Sequence, residues 1–189
     1  MGYPMNICVS INSEVVHGIP DGSRILQNGD IVSIDLGVKY NGFYADIAAT
    51  FGVGDISADA CSLIKTTKDA LAVGISRSVS GARLGDISAS IQDFVENNGY
   101  SVVRKFVGHG IGRDLHEEPE IPNFGSPNTG PYLENGMVLA IEPMVNQGSY
   151  QIEILDDGWT TVTSDDRLSA HFEHTVLIWG NNPEVLTKF

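Results

Sequence analysis

The sequence predicts an α+β chain, within the broad α/β class, in which antiparallel strands are backed by a pair of helices. Three observations carry this. Residues 31–50 hold two strand-like runs around Asn41-Gly42, a strong short hairpin signal because both positions of a type I′ turn want positive φ. Residues 57–80 and 86–98 carry apolar side chains at helical spacing. Residues 137–145 and 170–179 are apolar runs of strand length, each interrupted by one acid, Glu142 and Glu173.

Composition bounds the class. A chain of 189 residues that is 42% hydrophobic can bury a sizeable core as one domain or two intimately packed halves. Its 24 Asp+Glu against 11 Lys+Arg, a net charge of −13, argue against a nucleic-acid surface, which needs clustered cations. No apolar run approaches the roughly 18 residues of a membrane span. The first residues lack the basic and apolar regions of a signal peptide, and Asn6 breaks the myristoylation pattern. Cys8 and Cys61 are too few for a disulfide framework and are not spaced as a zinc pair. A reducing cytoplasm is therefore the expected location.

In chain order, residues 6–11 read as a strand, and residues 15–20 as a strand running into a turn held by Gly18 and Pro20. His17 in that turn reads first as an ordinary turn residue with a satisfied side chain. Residues 20–23 and 27–30 are turns that feed the hairpin. With Asn41 and Gly42 as turn residues, Tyr40 pairs with Phe43, Gly37 with Asp46, and Asp35 with Ala48. Asp35 and Asp46 then share a face as diagonal neighbours, with Cβ atoms roughly 7 Å apart or less. Beside Ile31, Val32, Ile34, Leu36 and Ile47, the hairpin alone leaves two readings open. Either this face is solvated and both acids are surface charges, or a shared cation offsets the cost of burying them.

Ser57 can cap the first helix, whose apolar stripe is Ala60, Leu63, Ile64, Leu71 and Ile75, and Gly81 ends it. The second helix turns Ile87, Ile91, Phe94 and Val95 to one side, with Gly99 just past its end. Both faces read as core packed on a sheet. Residues 106–122 carry glycines around His109 and Ile111, then His116-Glu117-Glu118-Pro119. A phosphate loop is disfavoured because no helical pattern follows and Pro119 argues against one. The glycines are expected instead to let an irregular loop pass close to a bound group, with His109 and His116 facing the same space. Two unrelated loop histidines remain the alternative. Residues 137–145 read as one buried strand whose Glu142 needs a partner. Residues 151–155 and 159–163 read as a hairpin around Asp157-Gly158, with Trp159 as core anchor or pocket wall, and residues 170–179 as a final strand bearing Glu173. Asp35, Asp46, His109, Glu142 and Glu173 thus stand in apolar or glycine-rich settings. Four carboxylates and an imidazole are a hard, oxygen-rich donor set suited to a two-metal site and not to structural zinc.

Taken together, VVHGIP (15–20), IDLG (34–37) with ADIAATF (45–51), GHGIG (108–112) with LHEEP (115–119), IEPM (141–144), DGW (157–159) and SAHFEHT (169–175) resemble the type I methionine aminopeptidases, in order and without a large insertion. Each motif alone is weak, but six in succession are specific, and they cover essentially the whole chain. The resemblance implies the pita-bread α/β fold, two related halves of antiparallel strands and helices, here one catalytic domain over 1–189 divided at about 1–55 and 56–189. By position it implies that Asp35, Asp46, His109, Glu142 and Glu173 hold two divalent metal ions, Co, Mn, Fe or Zn. It places His17 and His116 toward the substrate, and Tyr3, Cys8, Leu115 and Trp159 around a methionine side chain. Leu115 replaces a more usual aromatic.

The implied reaction is metal-dependent hydrolysis of the N-terminal methionine from nascent peptides with a small second residue. Glu142 would carry the proton, His116 would stabilise the oxyanion or hold the peptide, and His17 would position the scissile amide. A proline-directed aminopeptidase of the same superfamily would keep the five ligands, but such enzymes usually carry an extra N-terminal domain. A non-catalytic binding module on this fold would typically have lost ligands. One departure is large: the helical segment that family members carry before the position of Gly2 is missing. An apolar sheet face around residues 6–11 and 31–47 is therefore expected to be less protected, favouring a weak homodimer or a loosened first half, with docking on a partner such as the ribosome as a further outcome.

Overall fold

A computed structural model describes residues 2–188. Two short strands, β1 (Cys8–Ile11) and β2 (Glu14–Val16), precede the long hairpin of β3 (Ile31–Tyr40) and β4 (Phe43–Gly52). Asn41 (φ 48°) and Gly42 (φ 84°) both take the left-handed backbone that a type I′ turn demands. The register follows: Tyr40 pairs with Phe43, Gly37 with Asp46 and Asp35 with Ala48. On the other side β1 pairs with β3, setting Cys8 opposite Asp35.

Helix α1 (Ala58–Arg77) starts at Ser57, whose hydroxyl accepts from the Ala60 N–H at 3.1 Å. Helix α2 (Leu84–Asn97) begins two residues before the apolar pattern suggests. Asp86 is not its first residue but reaches back from inside the first turn, accepting from the Arg83 N–H at 2.9 Å. The two helices touch at Gly74, where a Cβ would meet Ile91 Cδ1 at 2.7 Å.

The remaining strands are β5 (Ser101–Val102), β6 (Gly108–Gly110), β7 (Glu117–Ile121), β8 (Val138–Ile141), β9 (Met144–Asn146), β10 (Ile152–Ile154), β11 (Thr161–Thr163), β12 (Ser169–His171), β13 (Glu173–Leu177) and β14 (Glu184–Val185). One sheet runs β1-β3-β4-β13-β8-β6-β7 with β14 on β13, and two smaller ones run β10-β11-β2 and β12-β9-β5. All the pairings described are antiparallel. Leu63, Leu71, Ile87 and Ile91 of the helices join Leu139, Ile141 and Val176 of the sheet in one buried cluster. Each such side chain contributes roughly 2 kcal/mol of apolar burial.

Three expectations are corrected. Residues 137–145 are not one strand: the chain leaves the large sheet after Ile141 and rejoins another at Met144. Pro143 has no N–H to continue a ladder. Residues 170–179 break at the same level, between His171 and Glu173. The two chains turn the corner side by side, His171 pairing with Met144 in one sheet and His174 with Ile141 in the other. Residues 106–122 are irregular only in part: β6 and β7 form a strand pair that shifts register between His109 and Gly110, and His116 lies in the irregular stretch that joins them. Gly108 and Gly110 admit neighbouring backbone. A Cβ on Gly108 would lie 2.3 Å from the Ala140 carbonyl oxygen, and one on Gly110 would lie 2.2 Å from that of Glu118.

The helices leave part of the hairpin uncovered. On the face of β3 and β4 that alternates with Asp35 and Asp46, Ile34, Leu36 and Ile47 are only half-buried. Val38 is 50% and Phe51 47% exposed, and Tyr40 and Phe43 beside the turn are 75% and 53% exposed.

Candidate metal centre and substrate pocket

Strand periodicity assembles the acids. Cys8, Asp35 and Ala48 lie in one cross-strand row, Ala48 is paired in turn with Glu173, and Gly37 with Asp46. His109 reaches the same face from β6 through its pairing with Ala140, which pairs with Thr175. Donor atoms of Asp46, His109 and Glu173 all lie within 4.8 Å of one another, and all three residues are buried. Glu142 stands beside them at the sheet corner, its Oε1 3.5 Å from His109 Nε2 and its Oε2 3.8 Å from His171 Nε2.

This cluster is electrostatically unbalanced. Burial, reinforced by Asp46, pushes the Asp35 carboxyl up to about 7. Burial raises Asp46 as well, opposed by His109. Glu142 and Glu173 are driven well above the ordinary carboxylate range, first by burial and then by the neighbouring acids. Among the described residues no Lys or Arg pairs with any of the four. Glu173 Oε1 is buried without a hydrogen-bond partner among the described residues. Such a set is costly unless cations enter it, so the residues present fit a divalent metal site. The imidazoles are suited to the same task. Burial lowers His109, and its Nδ1 lies 2.8 Å from the Gly110 carbonyl oxygen. A hydrogen on Nδ1 leaves Nε2 free to bind a cation.

Beside the acids opens a cavity of about 400 Å³, lined by Tyr3, Cys8, His17, Asp35, Asp46, Leu115, His116 and Trp159, with Met5, Ile7 and Tyr44 among the further contacts. The Tyr3 and Trp159 rings meet edge to face at 5.4 Å. The Tyr3 hydroxyl donates to the Gly18 carbonyl at 2.8 Å, and Leu115 Cδ1 lies close over Gly37. Burial, then Asp35, raises the Cys8 thiol to about 12, so it remains a neutral wall. His17 is held at φ 59°, between the rings of Phe106 at 5.2 Å and Trp159 at 6.4 Å. His116 meets the His109 ring at 4.4 Å, bridging pocket and acid cluster.

The structure therefore brings together every site residue singled out in the sequence. Two others in the same place went unread. His171 sits behind Glu142, and the Thr175 hydroxyl accepts from the Asp46 N–H at 2.8 Å and donates to the Asp46 carbonyl at 2.9 Å. A signal for His171 exists in SAHFEHT, where it stands two residues before Glu173, but a broken strand removes the alternation that would have placed it.

Comparison with known proteins agrees with this geometry. The model of metallopeptidase family M24 matches residues 1–179. The methionine aminopeptidase of Clostridium perfringens is 59% identical over 186 residues, covering 98% of this chain and 74% of that protein. Methionine aminopeptidase 1 of Bacillus subtilis is 53% identical over 187 residues, 99% of this chain and 75% of that protein. The crystal structure of the Thermotoga maritima methionine aminopeptidase superposes with a TM-score of 0.95 at 49% identity, covering 97% of this chain and 74% of that one. A prolidase from Thermococcus sibiricus shares the fold alone, at a TM-score of 0.75 and 23% identity over 97% of this chain and 45% of that one. With its acids, its pocket and these relatives in agreement, the chain belongs to metallopeptidase family M24, on the methionine aminopeptidase branch.

Proposed function

We propose that this chain hydrolyses the N-terminal methionine from nascent peptides whose second residue is small. The observation that carries this is a cluster of buried and half-buried carboxylates without Lys or Arg partners among the described residues, set against a pocket of about 400 Å³ walled by Tyr3, Cys8, Leu115 and Trp159. Two divalent ions, drawn from Co, Mn, Fe and Zn, would be held by Asp35, Asp46, His109, Glu142 and Glu173. When bound, they would acidify a water and polarise the scissile carbonyl.

The chain's own groups do the rest. The pocket takes the apolar methionine side chain. Glu142 accepts the attacking water's proton on a carboxylate oxygen and returns it to the leaving amine. His116 donates to the oxygen that becomes negative, and His17, kept neutral by burial, orients the scissile amide. Residues 1–189 act as one catalytic domain, with its halves dividing near residue 55. We assign it to the cytoplasm, where nascent chains begin. A weak homodimer forms through the outer face of β3 and β4, where Val38 is 50% and Phe51 47% exposed. The net charge of −13 disfavours docking of that face on ribosomal RNA.

The test is reconstitution of metal-free protein with Mn, Fe, Co or Zn on Met-Gly-Met peptides. Metal-dependent release of methionine is expected, with Ala-initiated peptides poor substrates. Preferential cleavage of Xaa-Pro peptides, or no cleavage with any ion, overturns the reading. Sedimentation over a concentration series, alone and with ribosomes, separates the homodimer from ribosome contact.

A further inference from the structure

We infer that His171 is a positioning residue for Glu142, its Nε2–H donating to Glu142 Oε2 so that the other carboxylate oxygen stays turned toward His109. The inference rests on Glu142 being a metal ligand and proton carrier. Three observations carry it.

First, among the described residues His171 Nε2 is buried without a hydrogen-bond partner, in a residue only 2% exposed. A buried ring nitrogen left unpaired is costly and rarely accidental. Second, Glu142 Oε2 stands 3.8 Å from that nitrogen, while Oε1 lies 3.5 Å from His109 Nε2. The two oxygens are thus divided between a proposed ligand and His171, and a small rotation of the flexible glutamate closes the hydrogen bond. Third, the backbone of His171 is a fixed mount. The Thr50 hydroxyl accepts from the His171 N–H and donates to the His171 carbonyl, each at 2.8 Å. Ser33 Oγ lies 2.7 Å from the same Thr50 oxygen. Because the one hydroxyl hydrogen of Thr50 goes to His171, Ser33 must be the donor in that pair. The β12–β9 register, with His171 opposite Met144, then holds the ring against the corner that Glu142 occupies.

Hydrogen-bond partners of metal-binding side chains set ligand orientation, and their loss typically costs 10–100-fold in metal affinity or activity. His171→Gln keeps an N–H at about the right reach, whereas His171→Leu and His171→Met fill the space without a donor. The full-length variants, confirmed as folded by circular dichroism, are compared by Mn²⁺ calorimetry on metal-free protein and by steady-state kinetics on a Met-Gly-Met peptide. The expected result is that Leu and Met weaken Mn²⁺ binding and lower kcat by about 10–100-fold with little change in KM, while Gln restores both. Two apolar variants guard against one failing to fold. Equal behaviour of Gln and the apolar variants, whether all active or all impaired, overturns the inference. Glu142→Gln separates this from failure of the site reading. If it leaves Mn²⁺ stoichiometry unchanged, Glu142 is not a ligand and the site reading fails. If it loses an ion while His171→Leu binds normally, the positioning role alone fails.

Discussion

Thr175 clamps Asp46: one hydroxyl accepts from the Asp46 N–H at 2.8 Å and donates to the Asp46 carbonyl at 2.9 Å. The backbone pairing of β13 with β4 covers Glu173 with Ala48 and His174 with Ile47, and this side chain extends the connection by one more residue. It fixes the acid that must meet His109 and Glu173. Thr175→Val, nearly isosteric, leaves two buried backbone groups unsatisfied. A loss on the order of 2–3 kcal/mol is expected, with weaker metal binding, while Thr175→Ser retains most of both. Thermal melts and metal calorimetry on the pair check this, and equal stability of Val and wild-type protein would contradict it.

Glu142→Gln removes a ligand's charge without changing its volume, and His109→Ala removes a ligand at the cost of a small gap at a buried position. Both variants should remain folded, bind fewer ions and lose peptide hydrolysis by at least about a hundredfold. Calorimetric stoichiometry alongside initial rates measures it. Unchanged ion count with unchanged rates in both would remove these residues from the metal centre.

Trp159→Ala opens the wall that Tyr3 leans on. Loss of apolar contact of this size is on the order of 2 kcal/mol, or roughly thirtyfold in kcat/KM for Met-initiated peptides. The loss should appear in side-chain selectivity, with metal stoichiometry intact. Comparing Met- with Ala-initiated substrates in both proteins supplies the readout.

The pH dependence of metal-free stability has a defined sign. Asp35, raised from 3.8 to about 7, together with the raised Asp46, Glu142 and Glu173, binds more protons folded than unfolded above their ordinary range. By itself each contributes stability that is lost as pH rises through its folded value. His17, His109, His171 (lowered to about 3) and His174 act oppositely, but only up to their ordinary value of 6.5, where the unfolded chain also becomes neutral. Above about 6.5 the carboxyls alone remain. The melting temperature of metal-free protein should therefore fall as pH rises from about 6.5 to 8.5. The gain from added Mn²⁺ should grow over the same interval, because cations hold the ionised carboxylates. Scanning calorimetry with and without metal decides it; a metal-free melting temperature that rises with pH there would refute the account.

Much of this molecule is local chemistry. Asn41-Gly42 admits one tight turn, and with a side-chain period of two that turn alone puts Asp35 and Asp46 on one face in their observed register. Ser57 and Gly99 bound the helix pair for equally local reasons. Glu142 and Glu173 stand out because a charge in an apolar run demands a partner. Only the tertiary structure decides how that demand is met. Both acids sit where two chains leave one sheet for another, and a sheet switch depends on pairings such as His174 with Ile141 that no local pattern contains. The glycines around His109 make the same point, since what they admit is the backbone of Ala140 and Glu118. Thr175 on Asp46 and Thr50 on His171 are contacts over sequence separations of 129 and 121 residues. A hydroxyl in a strand looks like any other until the fold brings its acceptor to it, and so the groups that orient the site stayed unread while the acids did not.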